Sequence, residues 1–259
     1  MRTIKSGGNR SHTEKTSKKG ACMDRKNLFI VGGSSGIGLE LVKLLSGNLH
    51  EIYVGSRSNE TLAEIPGVHH LALDVKAESL DLEALPDILH GLVYCPGTIV
   101  LKPFQRLTID DFLEDLNVNL LGAVKVIQGC LGRLKKSPTG ASIVLFSTVA
   151  VKTGMAFHAS VASAKAAVEG LTRSLAAEFA PRIRVNAIAP SLTDTPLSKN
   201  LLASEEKRQA SAERHPLKRI GSPRDIAKLA AHLLSDTGAW ITGQIMHVDG
   251  GMSSLKVFR

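Results

Sequence analysis

Between Val31 and Gly38 the chain reads VGGSSGIG, with an apolar run before it and an apolar-faced segment after it. That context gives a common glycine cluster a specific use. Gly32 permits a tight turn, Gly36 lets the backbone approach a bulky anion, and Gly38 lets a helix pack closely on the strand it leaves. Amide N–H groups at the helix start, from Ser34, Ser35, Gly36 and Ile37, then meet phosphate oxygens where the helix dipole also favours negative charge. The spacing is G-x-x-x-G-x-G rather than the commoner G-x-G-x-x-G, and the chemistry it suits is pyrophosphate binding. The next apolar run ends in Gly55-Ser56-Arg57-Ser58, a cation where a site for an unphosphorylated ribose places a carboxylate. Arginine beside a hydroxyl accommodates a 2′-phosphate, so NADP(H) is expected in preference to NAD(H). Asp74, closing the third run, is placed either to accept from an adenine amino group or to cap a following helix.

These groups need strands to hold them. From Asn27 onward, short apolar runs alternate with amphipathic stretches, the order of β-α-β units around a parallel sheet. Runs at 28–33, 51–56, 70–75, 90–95, 142–147, 182–188 and 245–250 predict seven strands. Helices are expected at 36–46, about 108–135, 158–180 and 223–235, while the second and third connections offer only ETLAEI and ESLDLEALP. The fold class is α/β: one Rossmann domain over 27–259, a doubly wound seven-stranded parallel sheet with helices on both faces. Residues 191–220, rich in Ser, Lys and Glu, interrupt this rhythm and read as a lid, because ligands of such sheets sit at the carboxyl ends of the strands. The lid's lysines and arginines are interspersed with Asp194, Glu205, Glu206 and Glu213, a mixture that selects no substrate charge.

The 259 residues are 43% hydrophobic, enough for a substantial core. Of the formal charge of +8, residues 1–22 carry +5 through six basic residues against Glu14, so the charge belongs to a tail. Residues 1–26 are expected to be a disordered basic extension with no secretory or transit signal, and Met23 is an alternative start to Met1. A nearly balanced body with 4% aromatic residues offers neither a basic stripe nor stacking platforms, which argues against nucleic acid. Three cysteines without a CxxC pair suit a reducing, cytoplasmic setting, the scattered histidines give no metal site, and no apolar run spans a bilayer.

Further blocks follow in order: Asp74-Val75, Asn117-Val118-Asn119, Ser147, ASAKAAVEGLTRSLAAE at 162–178, IRVNAIAP at 183–190 and ITGQIMHVDGG at 241–251. With GGSSGIG they resemble the short-chain dehydrogenase/reductase family over about residues 27–252. The resemblance implies three helices on each face of the sheet, a homodimer or homotetramer, and oxidation or reduction of a small-molecule substrate with NAD(P)(H). It implies that Asn119 holds a proton-relay water, that Ser147 bonds the substrate carbonyl, and that Lys165 grips the nicotinamide ribose. Thr195 is matched to a cofactor contact beyond the sixth strand, and Val75, Gly97, Pro190 and Leu192 fall at further cofactor positions.

The departures fall in the catalytic half. Four residues before Lys165 the family has the tyrosine that gives and takes the proton, and this chain has Val161. Only Tyr53 and Tyr94 exist to replace it. NNAG has become Tyr94-Cys95-Pro96-Gly97, and a PG pair has become Pro190-Ser191. A positioned general acid contributes about 100-fold to 10,000-fold, so a substitute is expected. His158, one helical turn before Val161, is the leading candidate; Ser160, Ser163 and Tyr94 are others. The stretch 158–179 also resembles dienoyl-CoA reductases, where the tyrosine is likewise displaced and conjugated double bonds are reduced. The reading is therefore an NADP(H)-dependent reductase of a carbonyl or conjugated enoyl group with an atypical proton donor. Its rival is a dinucleotide-binding sensor or regulatory subunit with impaired catalysis.

Overall fold

Strands covered on both faces must be apolar almost throughout, and the central runs meet that demand. In the computed structural model, which describes residues 25–47 and 50–257, they form β1 (Asn27–Val31), β2 (Glu51–Ser56), β3 (Val68–Ala72), β4 (Gly91–Tyr94), β5 (Ala141–Phe146), β6 (Ile183–Pro190) and β7 (Ile245–Val248). All pairings are parallel, in the order β3-β2-β1-β4-β5-β6-β7. Strand order reverses between β1 and β4, which opens a crevice at their carboxyl ends. The expected basic tail, Cys22 and the choice between Met1 and Met23 lie outside the described residues.

Alternation along β1 divides the core in two. Leu28 and Ile30 face Leu41 and Val42 of α1 (Gly36–Leu45) and Ala227 and Ala230 of α7 (Pro223–Leu234). Phe29 and Val31 face the opposite layer, where Val126 and Cys130 of α3 (Gly122–Lys135) pack with Val168 and Ala176 of α5 (Ala159–Phe179). The helix expected over 108–135 is one rod in three parts: α2 (Ile109–Leu116), a π-helical turn at Asn117–Leu121, and α3. Thr108 starts it with a capping box, accepting from the Asp111 amide while the Asp111 carboxylate accepts from the Thr108 amide. The π turn widens the rod at Asn119, a common device where a helix must present a functional side chain.

Three helices per face are not realised among the described residues. ETLAEI runs into Pro66-Gly67, which cannot continue a helix, and forms turns that bury Leu62. In the next connection the Asp81 side chain accepts from the Glu83 amide, a local bond that competes with helix, and Leu82 and Leu85 are buried instead. β3 begins and ends earlier than expected because it pairs with Ile52–Ser56 of β2. Asp74 therefore lies beyond the strand; it turns back to the Lys76 amide at 2.9 Å and has no helix to cap. The lid region holds a 3-10 segment, Pro196–Leu202, and α6 (Glu205–Glu213). Its two ends meet where the Asp194 amide donates to Gly221 O and the Gly221 amide donates to Leu192 O, at 2.9 and 3.0 Å.

The glycine turn is closely packed. A Cβ on Gly38 would lie 2.3 Å from Gly32 O, and Gly32 and Gly36 have φ of +77° and +54°. Gly38→Ala is expected to lower the urea-unfolding free energy by about 1–3 kcal/mol, the usual range for overpacking, and to weaken dinucleotide binding. Unchanged stability would show that the turn can spread at little cost.

Candidate active site

At the carboxyl ends of β4, β5 and β6 a cleft of about 670 Å³ opens beneath the lid. Asn119, Ser147, His158 and Lys165 all line it, with Val161 between them; so do Ile37, Gly97, Pro190, Leu192 and Thr195. Of the turn from Gly32 to Gly38, Ile37 reaches this lining. Gly36 packs against Thr195, where an added Cβ would come within 3.4 Å, so the turn and the lid meet directly. The Ser35 side chain makes no capping bond, which leaves the first-turn amides of α1 for an anion. Ser56, Arg57, Asp74 and Val75 lie at the ends of β2 and β3, across the switch point from the cleft.

Arg57 is exposed at the end of β2. Ser56 before it is buried, and its Oγ donates to Ser58 O at 2.7 Å, so that hydroxyl's proton is held by the backbone. The Val75 side chain is buried in the core beneath Asp74. These positions fit a dinucleotide whose adenosine end lies over the carboxyl end of β2, with Arg57 as the cation there.

Lys165 sits at the floor. Its Nζ donates to Phe146 O at 2.9 Å, leaving two N–H groups for hydroxyls of a bound ribose. Burial lowers its pKa to about 8, opposed by the charge of Asp115. Asp115 is fully buried on α2 and accepts from Thr98 Oγ1 at 2.6 Å; Asn119 Nδ2 donates to Thr98 Oγ1 at 3.0 Å and to Asp115 O at 2.8 Å. Sequence reading passed over Asp115, although an acid four residues before Asn119 on one helix face was the available signal. Burial pushes the Cys95 thiol up to about 12, so this cleft residue stays neutral.

Ser147 is placed differently from expectation. Its Oγ donates to Glu169 Oε1 at 2.7 Å, so its proton is committed to a carboxylate. Thr148, next in the chain and lining the same cleft, accepts from the Ala150 amide at 3.3 Å and keeps its proton for a ligand. Of this hydroxyl pair, Thr148 rather than Ser147 has its proton unclaimed by another side chain.

Three of the substitute acids are occupied elsewhere. Ser160 donates to Asp111 O and Ser163 to Ala159 O. Tyr94 is buried in the core, donates to Val118 O at 2.6 Å and has its pKa raised by burial. His158 lines the cleft at the start of α5, with Nδ1 2.7 Å from Ala156 O and Nε2 left for a ligand. Val161 is 3% exposed, an apolar plug one helical turn before Lys165. Of the lid's charged side chains only Arg214 lines the cleft, among the described residues. No cluster of metal-ligating side chains, and no helix long and apolar enough to cross a membrane, exists among the described residues.

The Lys165 pKa has a measurable consequence. Between about pH 8 and 10.5 the unfolded chain holds a proton that the folded chain has released, so stability rises with pH across that window. Below it both states are protonated and the full cost of burying the ammonium stands. From pH 7 to 10 the wild type is expected to gain about 2–3 kcal/mol of unfolding free energy relative to Lys165→Met in urea melts. A pH-independent difference would show that the ammonium is well solvated.

A family model described as enoyl-(acyl carrier protein) reductase matches residues 34–253. Carbonyl reductase family member 4 of Danio rerio is 37% identical over 239 residues, covering 87% of this chain and 97% of that one. Among solved structures, ElxO with NADP bound has a TM-score of 0.79 at 26% identity, covering 90% of this chain and 100% of the other. 4-Hydroxyisoleucine dehydrogenase complexed with NADH has a TM-score of 0.80 at 26% identity, with the same coverage of 90% and 100%. The family model spans Lys165 of α5 and most of the sheet, the relative is more than 30% identical over most of both chains, and the chain belongs to the short-chain dehydrogenase/reductase family of oxidoreductases.

Proposed function

We propose that the chain is an NADP(H)-dependent reductase acting on a carbonyl or conjugated enoyl group of an apolar substrate, with a proton donor other than tyrosine. The observation that carries this reading is the polar constellation kept around a buried Val161: the Lys165 ammonium, the Asn119–Thr98–Asp115 network and the free Thr148 hydroxyl, all at one cleft floor. A bound nicotinamide supplies the hydride. Thr148 donates to the oxygen on which charge develops, Lys165 holds the ribose and adds positive potential, and the apolar walls exclude water and strengthen both effects. Ile99, Leu101, Met155, Phe157 and Leu201 provide those walls, and Arg214 suits an acidic or polar end group on the substrate.

The preference for NADP(H) rests on Arg57, since the solved relatives include one with NADP and one with NADH. The unpaired thiols of Cys95 and Cys130 agree with a reducing cytoplasmic setting. Exposed Ile109, Leu113 and Leu121 along the α2–α3 rod agree with a homodimer or homotetramer.

Thermal unfolding tests the cofactor. Ligand at 100 times its dissociation constant adds about 2.7 kcal/mol, so at equal concentration NADPH should raise the melting temperature more than NADH. Arg57→Asp should reverse the order; equal shifts in the wild type would remove the argument. NADPH oxidation with ketones, aldehydes and enoyl thioesters, with and without acidic termini, tests the chemistry. Tight binding without turnover in either the wild type or Val161→Tyr would favour a sensor or regulatory subunit.

A further inference from the structure

Replacing the tyrosine by Val161 leaves the cleft without a phenol, and one pair of side chains there has no part in the reading above. Ser191 follows Pro190, where the family pattern has glycine, and His215 lies just beyond α6; both line the cleft. Ser191 Oγ and His215 Nε2 are 2.8 Å apart. His215 is 2% exposed, and its Nδ1 lies 2.8 Å from Ser211 O. A carbonyl only accepts, so Nδ1 carries a proton and Nε2 is the nitrogen that gains or loses one. When Nε2 is bare it accepts from the Ser191 hydroxyl. When it is protonated it donates to Ser191 Oγ, which frees the serine's own proton for a third group. The other neighbour of Ser191 Oγ, the Met252 sulfur at 3.2 Å, is a weak acceptor that competes little for that proton.

Charged groups reach this imidazole from several elements. Arg214, beside it, donates to Ser211 Oγ at 2.9 Å, and Lys218 is turned away to Glu213. His215 also walls a second cavity of about 190 Å³ that holds Asp249, after β7, and the ion pair of Arg219 with Asp225 at the start of α7. The Asp249 carboxylate accepts from the Gly251 and Ser253 amides and places negative potential on that side. By contrast, His158 stands at the cleft rim beside exposed Phe157, bonded only to a carbonyl two residues away.

We propose that Ser191 and His215 together deliver the proton that the missing tyrosine would supply; this rests on the reductase reading above. As the hydride adds to the carbonyl carbon, the π pair moves onto oxygen. Ser191 Oγ–H protonates that oxygen, and Ser191 recovers a proton from Nε2 of the His215 imidazolium. The neutral imidazole is then reprotonated by water. The products are the alcohol and the oxidised nicotinamide, with one solvent proton consumed. Ser191 touches the substrate; His215 acts through it.

Wild type, His215→Gln, Ser191→Ala, His158→Ala, Val161→Tyr and the Val161→Tyr/His215→Gln double variant test this with three readouts: kcat and KM against pH, NADPH affinity, and the nitrogen-15 shifts of the His215 ring with NADP bound. The expected result is a kcat lower by about 100-fold in His215→Gln and Ser191→Ala, the low end for a general acid, with KM and NADPH affinity within about twofold. Apart from the Lys165 limb near pH 8, the fall of kcat with rising pH expected of the wild type should vanish in both, and the double variant should recover turnover through its phenol. The Nε2 shift should titrate and should move in Ser191→Ala. Retained kcat and pH limb in His215→Gln, loss of that limb only in His158→Ala, a non-titrating Nε2, or a parallel loss of NADPH affinity would each overturn the pair. Turnover in Val161→Tyr but not in the wild type would overturn the pair and leave the cleft a reductase scaffold. Absence of turnover in both would overturn the reductase reading together with the pair.

Discussion

An ammonium group buried under a parallel sheet is costly unless its surroundings repay the lost water, and much of the cleft is arranged around that one charge. Lys165 reaches the floor from α5 and is met by the Phe146 carbonyl at the end of β5. Asp115 opposes the effect of burial from α2; Thr98 donates to its Oδ1 and is itself held by Asn119, while its Oδ2 is buried with no hydrogen-bond partner among the described residues. The π turn at Asn117–Leu121 brings Asn119 and Asp115 to the same side of the rod. Four elements thus converge on one lysine, and moving any of them would leave a buried charge or amide without its partner.

The same floor fixes what surrounds it. An added Cβ on Gly97 would lie 3.1 Å from Asn119 Oδ1 and 3.6 Å from Lys165 Nζ, so the loop after β4 stays close only because it carries no side chain there. At the other end the turn at Gly36 rests against Thr195, and the lid is anchored where its two ends exchange backbone hydrogen bonds with one another. The glycine turn and the lid's first residues therefore lie against one another. Cofactor and substrate sites share one wall.

Hydroxyls show how the packing assigns chemistry. Ser147 and Thr148 are adjacent, yet Glu169 takes the proton of the first and leaves that of the second. Ser160 and Ser163, on the helix that carries Lys165, spend their protons on backbone carbonyls. Tyr94 keeps its phenol in the core, where an added Cβ on Gly122 would come within 2.2 Å of its oxygen. Ser191, a residue of no evident interest in one dimension, faces a buried imidazole from twenty-four residues away.

By itself the sequence determined the layered parallel sheet, because alternating apolar runs and amphipathic stretches have one economical way to bury both faces. It also determined the anion-binding turn and the absence of the catalytic phenol, since glycine spacing and residue identity are local facts. In the connections after β2 and β3 proline and a local side-chain bond overrode helix formation, and only tertiary structure decided that Leu62, Leu82 and Leu85 there are buried. The partner of each hydroxyl, the burial that lowers the Lys165 pKa and the meeting of Ser191 with His215 were likewise decided there. Hydrogen-bond partners and desolvation depend on which segments pack together across long separations, and no pattern within a single segment encodes them.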